Sequence, residues 1–231
     1  MKLTGDYHTH TYYSHGKGSP RENVLAAVAL GLKSIAITEH ASAHIFYGVR
    51  NEKLLRLRRE VDALKKEFSG DIEVLMGLEC NLTGDGKCDI PDDPFDVLIL
   101  GFHKGVMPRD MFSVRAMLQL IGIGKDPTGN AEALMRAAEK HGVTMLSHPG
   151  LYIPMDIEVL APAAAMLNIP LEINGSRVTL TKEQLVRGKE LGASFIINSD
   201  AHRPEDVGRV EKAIAAAVEA DVWDRVLNLL P

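Results

Sequence analysis

A chain of 231 residues with 45% hydrophobic and 25% charged side chains can bury a sizeable core and has the make-up of a globular enzyme, which excludes wholesale disorder. Its formal charge of −5 offers no basic footprint for duplex nucleic acid, and 5% aromatic residues supply no base-stacking platform, so both argue against a nucleic-acid partner. No run approaches the roughly 20 apolar residues of a membrane span, Met1–Asp6 lacks an apolar signal core, and Cys80 and Cys88 have no zinc-finger or CxxC spacing; the expectation is a cytoplasmic chain with reduced thiols, without membrane contact.

Short apolar runs alternate with longer amphipathic stretches, the pattern of repeated βα units around a largely parallel sheet. In chain order the first half predicts strand Leu3–His8, helix Pro20–Leu30, strand Ser34–Thr38, helix Asn51–Phe68, and strands Glu73–Leu78 and Val97–Phe102. The segment Lys104–Gly129 is the least regular, with a helix near Ser113–Ile121 and a loop at Gly122–Thr128 that could flank the pocket. Beyond it come helix Asn130–His141, strand Thr144–Ser147, helix Asp156–Leu167, strand Pro170–Ile173, helix Thr181–Leu191, strand Ser194–Asn198 and helix Pro204–Ala220. Gly31, Gly142 and Gly192 mark helix stops. The stretch Ala220–Pro231 reads as a last helix packing Val222, Trp223, Val226, Leu227 and Leu230 on the barrel. With no repeat and no Pro-, Gly- or Ser-rich linker, residues 1–231 are expected to form one domain.

Nine residues able to bind metal fall in clusters at predicted strand ends: His8, His10, His15, His40, Glu79, His103, His148, Asp200 and His202. A barrel collects such residues at the carboxyl ends of its strands. In His8-Thr9-His10 and Asp200-Ala201-His202 the outer residues share a face of an extended chain, so each pair can meet one ion. Seven of nine histidines are spent this way, more imidazole than one ion needs, which points to a polynuclear hydrolytic centre rather than a structural zinc. Cys80 alternates with Glu79 and should face away; His141 sits at a helix end, where it complements the macrodipole. His44, with Ile45, Phe46 and Tyr47, lies in the loop after His40 and could shape an entrance, while Tyr12, Tyr13 and Ser14 sit between ligands and could line the pocket.

The ordered set Asp6-Tyr7-His8-Thr9-His10-Thr11, Ile37-Thr38-Glu39-His40, Gly77-Leu78-Glu79, Gly101-Phe102-His103, Leu146-Ser147-His148-Pro149-Gly150, Leu171-Glu172-Ile173-Asn174 and Asn198-Ser199-Asp200-Ala201-His202 resembles the polymerase and histidinol phosphatase (PHP) metallohydrolases, particularly compact bacterial phosphatases of the YcdX type. The resemblance covers nearly the whole chain. It implies an α/β fold, a distorted seven-stranded (βα)7 TIM-like barrel, with three divalent metal ions (zinc, manganese or iron) at the C-terminal ends of the strands. It implies one ion on His8, His10, Glu79 and Asp200, a second on Glu79, His103 and His148, and a third on His15, His40 and His202. The family often has Thr-Asp-His where this chain has Thr38-Glu39-His40, so the role of Glu39 is open.

Three divalent ions bring roughly six positive charges against the two carboxylates Glu79 and Asp200, so an anionic ester suits the site better than a neutral amide. The resulting expectation is a metal-dependent phosphoesterase that hydrolyses a small phosphate monoester by attack of a metal-bridging hydroxide at a trinuclear centre, with Asp200, His8 and Glu79 as catalytic residues. Arg177, Lys104 and Lys17 are candidates for binding the phosphate, and Glu172 and Asn174 for hydrogen bonds to ligand imidazoles. The partner would be a small phosphorylated metabolite: histidinol phosphate, a nucleotide, a sugar phosphate or a diester. A homo-oligomer is compatible with the sequence. Two alternatives are an amidohydrolase-like C–N or C–O hydrolase, which also opens with HxH but usually bridges its metals with a modified lysine, and a non-catalytic metal-binding module.

Overall fold

The computed structural model describes residues 1–231. In chain order the strands are β1 (Lys2–Leu3), β2 (Gly5–Asp6), β3 (Ser34–His40), β4 (Glu73–Gly84), β5 (Lys87–Cys88), β6 (Val97–Gly101), β7 (Met145–Leu146), β8 (Leu171–Asn174), β9 (Phe195–Asn198) and β10 (Leu229–Leu230). The helices are α1 (Pro20–Ala29), α2 (Asn51–Glu67), α3 (Met111–Leu120), α4 (Pro127–His141), α5 (Ile157–Met166), α6 (Lys182–Glu190) and α7 (Glu211–Glu219). Seven parallel strands in the order β2-β3-β4-β6-β7-β8-β9 form a nearly closed barrel with the helices outside, the predicted (βα)7 architecture. No helix is long and apolar enough to cross a membrane.

Local chemistry explains the helix starts. Ser19 with Glu22, Asp110 with Ser113, and Thr181 with Gln184 form capping boxes that satisfy the first backbone donors of α1, α3 and α6. Every residue of β3 is buried, as expected of a parallel strand covered on both faces. Alternation splits the strands into two sets: Ile35, Ile37, Val74, Met76 and Leu78 pack outward under the helices, whereas Ala36, Val97, Ile99, Met145 and Ile196 fill the small inner core. Continuing the inner face of β3 and β4 leads to His40 and Glu79, which are direct register partners. The barrel is therefore apolar at its base and polar at its mouth.

The seam between β2 and β9 has no regular ladder and is sewn by side chains. Near the base, buried Asn228 donates to the carbonyls of Gly5 (2.8 Å) and Ile197 (2.6 Å) and accepts from Ile197 N–H (3.0 Å). Higher up, Asn198 accepts from Tyr7 N–H at 2.9 Å, and the Asp6 carboxylate takes the amides of Ser199 (3.1 Å) and Gly208 (2.9 Å). At the mouth Thr9 and Ala201 form a parallel bridge, with His10 N–H donating to Ala201 O at 2.7 Å.

Several elements differ from the sequence expectation. The first strand divides at Thr4, because Lys2 and Leu3 pair antiparallel with Leu230 and Leu229 while Gly5 and Asp6 join the barrel. The expected last helix over Ala220–Pro231 is a correction: only a 3-10 turn, Trp223–Arg225, forms before β10. An extended chain there lets Asn228 reach the seam, and Leu227 and Leu230 stay exposed. Pro204–Ala220 is also not one helix, because Gly208 adopts φ +71 and gives its amide to Asp6, so α7 begins only at Glu211. In the opposite direction, α4 starts inside the expected loop, with Asp126 capping and Pro127 in the first turn, and β4 runs past Leu78 to Gly84.

Replacing Asn228 with Ala leaves three buried backbone groups at the seam unpaired. Urea denaturation is expected to show a loss of about 2–4 kcal/mol; a change within about 0.5 kcal/mol would mean the seam does not depend on this side chain.

Candidate metal centre

All nine predicted donors arrive at the mouth of the barrel. His8 and His10 follow β2, His40 ends β3, Glu79 lies within β4, His103 follows β6, His148 follows β7, and Asp200 and His202 follow β9. Glu79 is the hub. Its Oε1 lies 2.8 Å from His103 Nε2, 2.9 Å from His148 Nε2 and 3.2 Å from His8 Nε2, and its Oε2 lies 3.0 Å from His40 Nδ1 and 3.4 Å from His10 Nε2. Asp200 Oδ1 stands 3.5 Å from His8 Nε2 and 3.4 Å from His10 Nε2. His15 and His40 converge with His10, and His202 converges with His10 and Asp200. His15 and His202 meet at 2.6 Å between their Nε2 atoms.

A surrounding layer fixes which ring nitrogen faces inward. His8 Nδ1 sits 2.8 Å from Glu172 Oε1, His103 Nδ1 2.9 Å from Asn81 Oδ1, and His202 Nδ1 2.8 Å from the carbonyl of Asp200. Each of these acceptors requires the proton on Nδ1, so in the neutral rings Nε2 presents a lone pair to the centre. Lone pairs aimed at carboxylate oxygens repel unless a cation lies between them. Consistent with this, His8 Nε2, His10 Nε2, His15 Nδ1 and His40 Nδ1 are buried without a hydrogen-bond partner. The donor set of imidazoles and carboxylates fits divalent cations.

Glu172, one of the two residues expected to steady ligand imidazoles, holds the most contacts. Oε1 also accepts from Asn198 Nδ2 (3.0 Å), and Oε2 accepts from His148 N–H (2.8 Å) and Asn174 Nδ2 (3.0 Å). Asn174 reaches on to Asp200 Oδ2 at 3.2 Å. Glu39 accepts from Thr11 N–H at 2.9 Å and from the hydroxyls of Thr11 and Ser14, so it ties down the loop that carries His15. Tyr12 and Tyr13 turn away from the pocket, both donating to Glu60 Oε2. Cys80 is buried with its Sγ toward the Leu78 carbonyl, away from the cluster as expected. His148 (φ 27) and Asp200 (φ 54) have left-handed backbones, strain that is typical of functional positions.

Charge within the cluster is divided unevenly. Burial alone would push Glu79 up, but His103, His8 and His40 outweigh it and hold its carboxyl well below the usual range. Burial likewise opposes ionisation of Asp200 and Glu172, and the neighbouring His8 charge leaves both low. Burial would lower His8, yet Glu79 and Glu172 raise it well above normal; His10, against the same burial, is carried to about 9 by Asp200 and Glu79. Farther from the carboxylates burial wins, and His15 falls to about 3 and His44 to about 4. In the metal-free protein, protons on His8 and His10 thus do the neutralising that metal ions would take over.

Two cavities flank the cluster. One of about 220 Å³ is bounded by His15, His40 and His103 together with His44, Phe46, Tyr47, Lys104, Gly105 and Tyr152. The other, about 400 Å³, lies beyond Asp200 and His202 and is lined by no hydrophobic residue, with Ser176, Asp206, Arg209, Glu211 and Lys212 among its walls. Of the expected phosphate-binding residues, Lys104 lines the first cavity, its Nζ 5.1 Å from the Tyr152 ring. Arg177 is exposed at the β8 exit, its amide held by Asn174, and Lys17 is exposed beside His202, to whose carbonyl its amide donates; neither lines these cavities. Sequence reasoning did not single out Asn81, Asp89, Arg209 or Lys212. Asn81 continues the Glu79 face of β4 and was detectable by its period of two; Asp89, which accepts from Asn81 Nδ2 at 2.8 Å, carried no local signal.

With this geometry in hand, comparison with known proteins assigns the family. The family model for the PHP domain matches residues 6–152, and the chain belongs to that family. A probable phosphatase of Thermoanaerobacter sp. (strain X514) is 30% identical over 249 residues, covering 99% of this chain and 91% of that protein. The DNA polymerase/3'-5' exonuclease PolX of Bacillus subtilis (strain 168) is 28% identical over 240 residues, and the chain spans 39% of its length. The crystal structure of histidinol phosphate phosphatase from Lactococcus lactis subsp. lactis Il1403, complexed with zinc, L-histidinol and phosphate, is 21% identical, covers 95% of this chain and 94% of that one, and superposes with a TM-score of 0.66, which shows the same fold.

Glu172→Gln replaces an oxygen acceptor with a donor facing donors. Zinc affinity, read by competition with a chromophoric chelator, is expected to fall about 10–100-fold while the circular dichroism stays native. Unchanged affinity would remove Glu172 from the account of the site.

Proposed function

We propose that the chain is a metal-dependent phosphoesterase that hydrolyses a small phosphate monoester at a trinuclear centre. The observation that carries this reading is the fixed orientation of the His8, His103 and His202 rings, with Nε2 of His8 and His103 directed at Glu79 and Nε2 of His202 directed at His15. The ligands would be His8, His10, Glu79 and Asp200 for one ion, Glu79, His103 and His148 for a second, and His15, His40 and His202 for a third. Bound there, divalent ions supply Lewis-acid charge and a water of lowered pKa as nucleophile. Their identity among zinc, manganese and iron is set by availability as much as by these nitrogen and oxygen donors.

The remaining roles belong to the chain. Glu79, with both oxygens directed into the cluster, spaces and joins the ligand sets. Lys104, at the cavity mouth, offers an ammonium to a phosphate dianion, and Arg177 and Lys17 stand farther out as longer-range positive charges. Asp200, kept ionised among His8 and His10, is suited to hold a cation at Oδ1. An amidohydrolase-like reading is less well supported, because the position of a bridging modified lysine is taken by Glu79. The likeness to named phosphatases over nearly their full length supports catalysis over a purely binding role.

Metal-loaded protein is expected to hydrolyse p-nitrophenyl phosphate and to lose that activity on chelation. His8→Ala and Asp200→Ala should each lower kcat by roughly 10²–10³-fold or more, with the fold retained by circular dichroism. Wild-type turnover in either variant would refute the assignment.

A further inference from the structure

Helix α3 turns its larger apolar residues away from the barrel. Its buried face is Phe112, Ser113 and Ala116, whereas Met111, Val114, Met117, Leu118 and Ile121 face outward. A helix on the surface of a globular domain ordinarily shows the reverse, with polar groups toward water. Met111 and Ile121 are 70% and 71% exposed, and Met107 and Ile123 extend the apolar surface at the two ends of the helix. These side chains leave on the order of 700 Å² open to water. The largest apolar patch of a typical monomer is about 300–600 Å², and a standard interface takes about 800 Å² from each partner. The patch is thus larger than a lone subunit ordinarily shows and close to what one side of a stable dimer requires.

Spacing and charge select the occupant. Met111, Val114, Leu118 and Ile121 recur at intervals of three, four and three residues, the seam by which one helix packs along another. Arg109 and Asp110 precede the seam and Lys125 and Asp126 follow it, so each end carries one charge of either sign. An antiparallel copy of the same helix sets Arg109 toward Asp126 and Asp110 toward Lys125, and it opposes the two helix macrodipoles. It also brings Met111 opposite Ile121 of the second copy, and Val114 opposite Leu118. Arg115 borders the stripe and stays at the rim, where an interface tolerates charge.

We propose that this face is the interface of a two-fold symmetric homodimer, in which α3 of one copy lies antiparallel on α3 of a second. Such an interface is isologous, so each contact is made twice. The proposal stands apart from the phosphoesterase reading, because none of these residues belongs to the metal cluster. The other exposed apolar surface, around Met166 and Leu167 on α5, is interrupted by Glu132, Arg136 and Glu139 and serves as a control.

Sedimentation velocity of the zinc-loaded wild type should show a dimer at about 50 µM, because interfaces of this size hold at micromolar concentrations or tighter. Met111→Asp and Ile121→Asp each bury two carboxylates in the symmetric interface and should weaken association about 100-fold or more, with circular dichroism and zinc content unchanged. Met166→Asp should leave the dimer intact. In a Cys88→Ser background, Met117→Cys lies beside the two-fold axis and should be joined to its own copy by a short bis-maleimide, whereas Met107→Cys, far from the axis, should not. A monomeric wild type overturns the proposal, as does a dimer that survives both aspartate substitutions or one in which Met117→Cys stays unlinked. A monomer that co-sediments with phosphatidylglycerol vesicles gives the stripe to a lipid surface and overturns it equally.

Discussion

Buried carboxylate facing imidazole is the constraint on which this structure depends. Glu79 and Glu172 are almost wholly inaccessible to water, and Asp200 sits beside them. Burying an anion costs several kcal/mol or more unless positive charge or donors surround it. Glu172 meets that cost with four donors, whereas Glu79 meets five imidazole nitrogens, and two of those rings, His8 and His103, commit their Nδ1 hydrogens to Glu172 and Asn81. What completes the charge balance at Glu79 must therefore be exchangeable: protons in the free protein and metal ions when these are supplied. The same imbalance suits the site to cations and, with cations bound, to anions.

Barrel geometry delivers the donors to that one point. Parallel register sets His40 beside Glu79, and alternation along β4 sends Glu79 and Asn81 inward while Cys80 points into the outer core. The seam is the weak place of a barrel whose first strand is only two residues long. It is closed by Asp6, Asn198 and Asn228, and two of these reach directly into the site's supports: Asn198 to Glu172, and Asp6 to the amide of Ser199 beside Asp200. Stability and chemistry share residues here, so damage to the seam should also loosen the donors.

The sequence revealed most where the physics is local. Periodicity and glycine stops located α1, α2, α5 and α6, and the repeated position of His and acidic residues after apolar runs disclosed the cluster before any coordinates. It failed where distant contacts decide. Nothing in Val222, Trp223, Val226 and Leu230 announces that the chain must stay extended for Asn228 to pair with Gly5 and Ile197. Nor does Gly208 signal that its amide is claimed by Asp6, far away in sequence. The candidate phosphate-binding cations followed the same division: Lys104, adjacent to a ligand, lines the cavity, whereas Arg177 is exposed and lines neither cavity, following a loop whose path is held by the Asn174 side chain.

The most direct measurement of the central claim is metal content per chain, by plasma emission after equilibration with zinc and removal of the excess. The account predicts about three ions for the wild type and a collapse of that content when Glu79 is changed to Gln, with the fold intact. Binding of no more than one ion, or a content indifferent to Glu79, would contradict it.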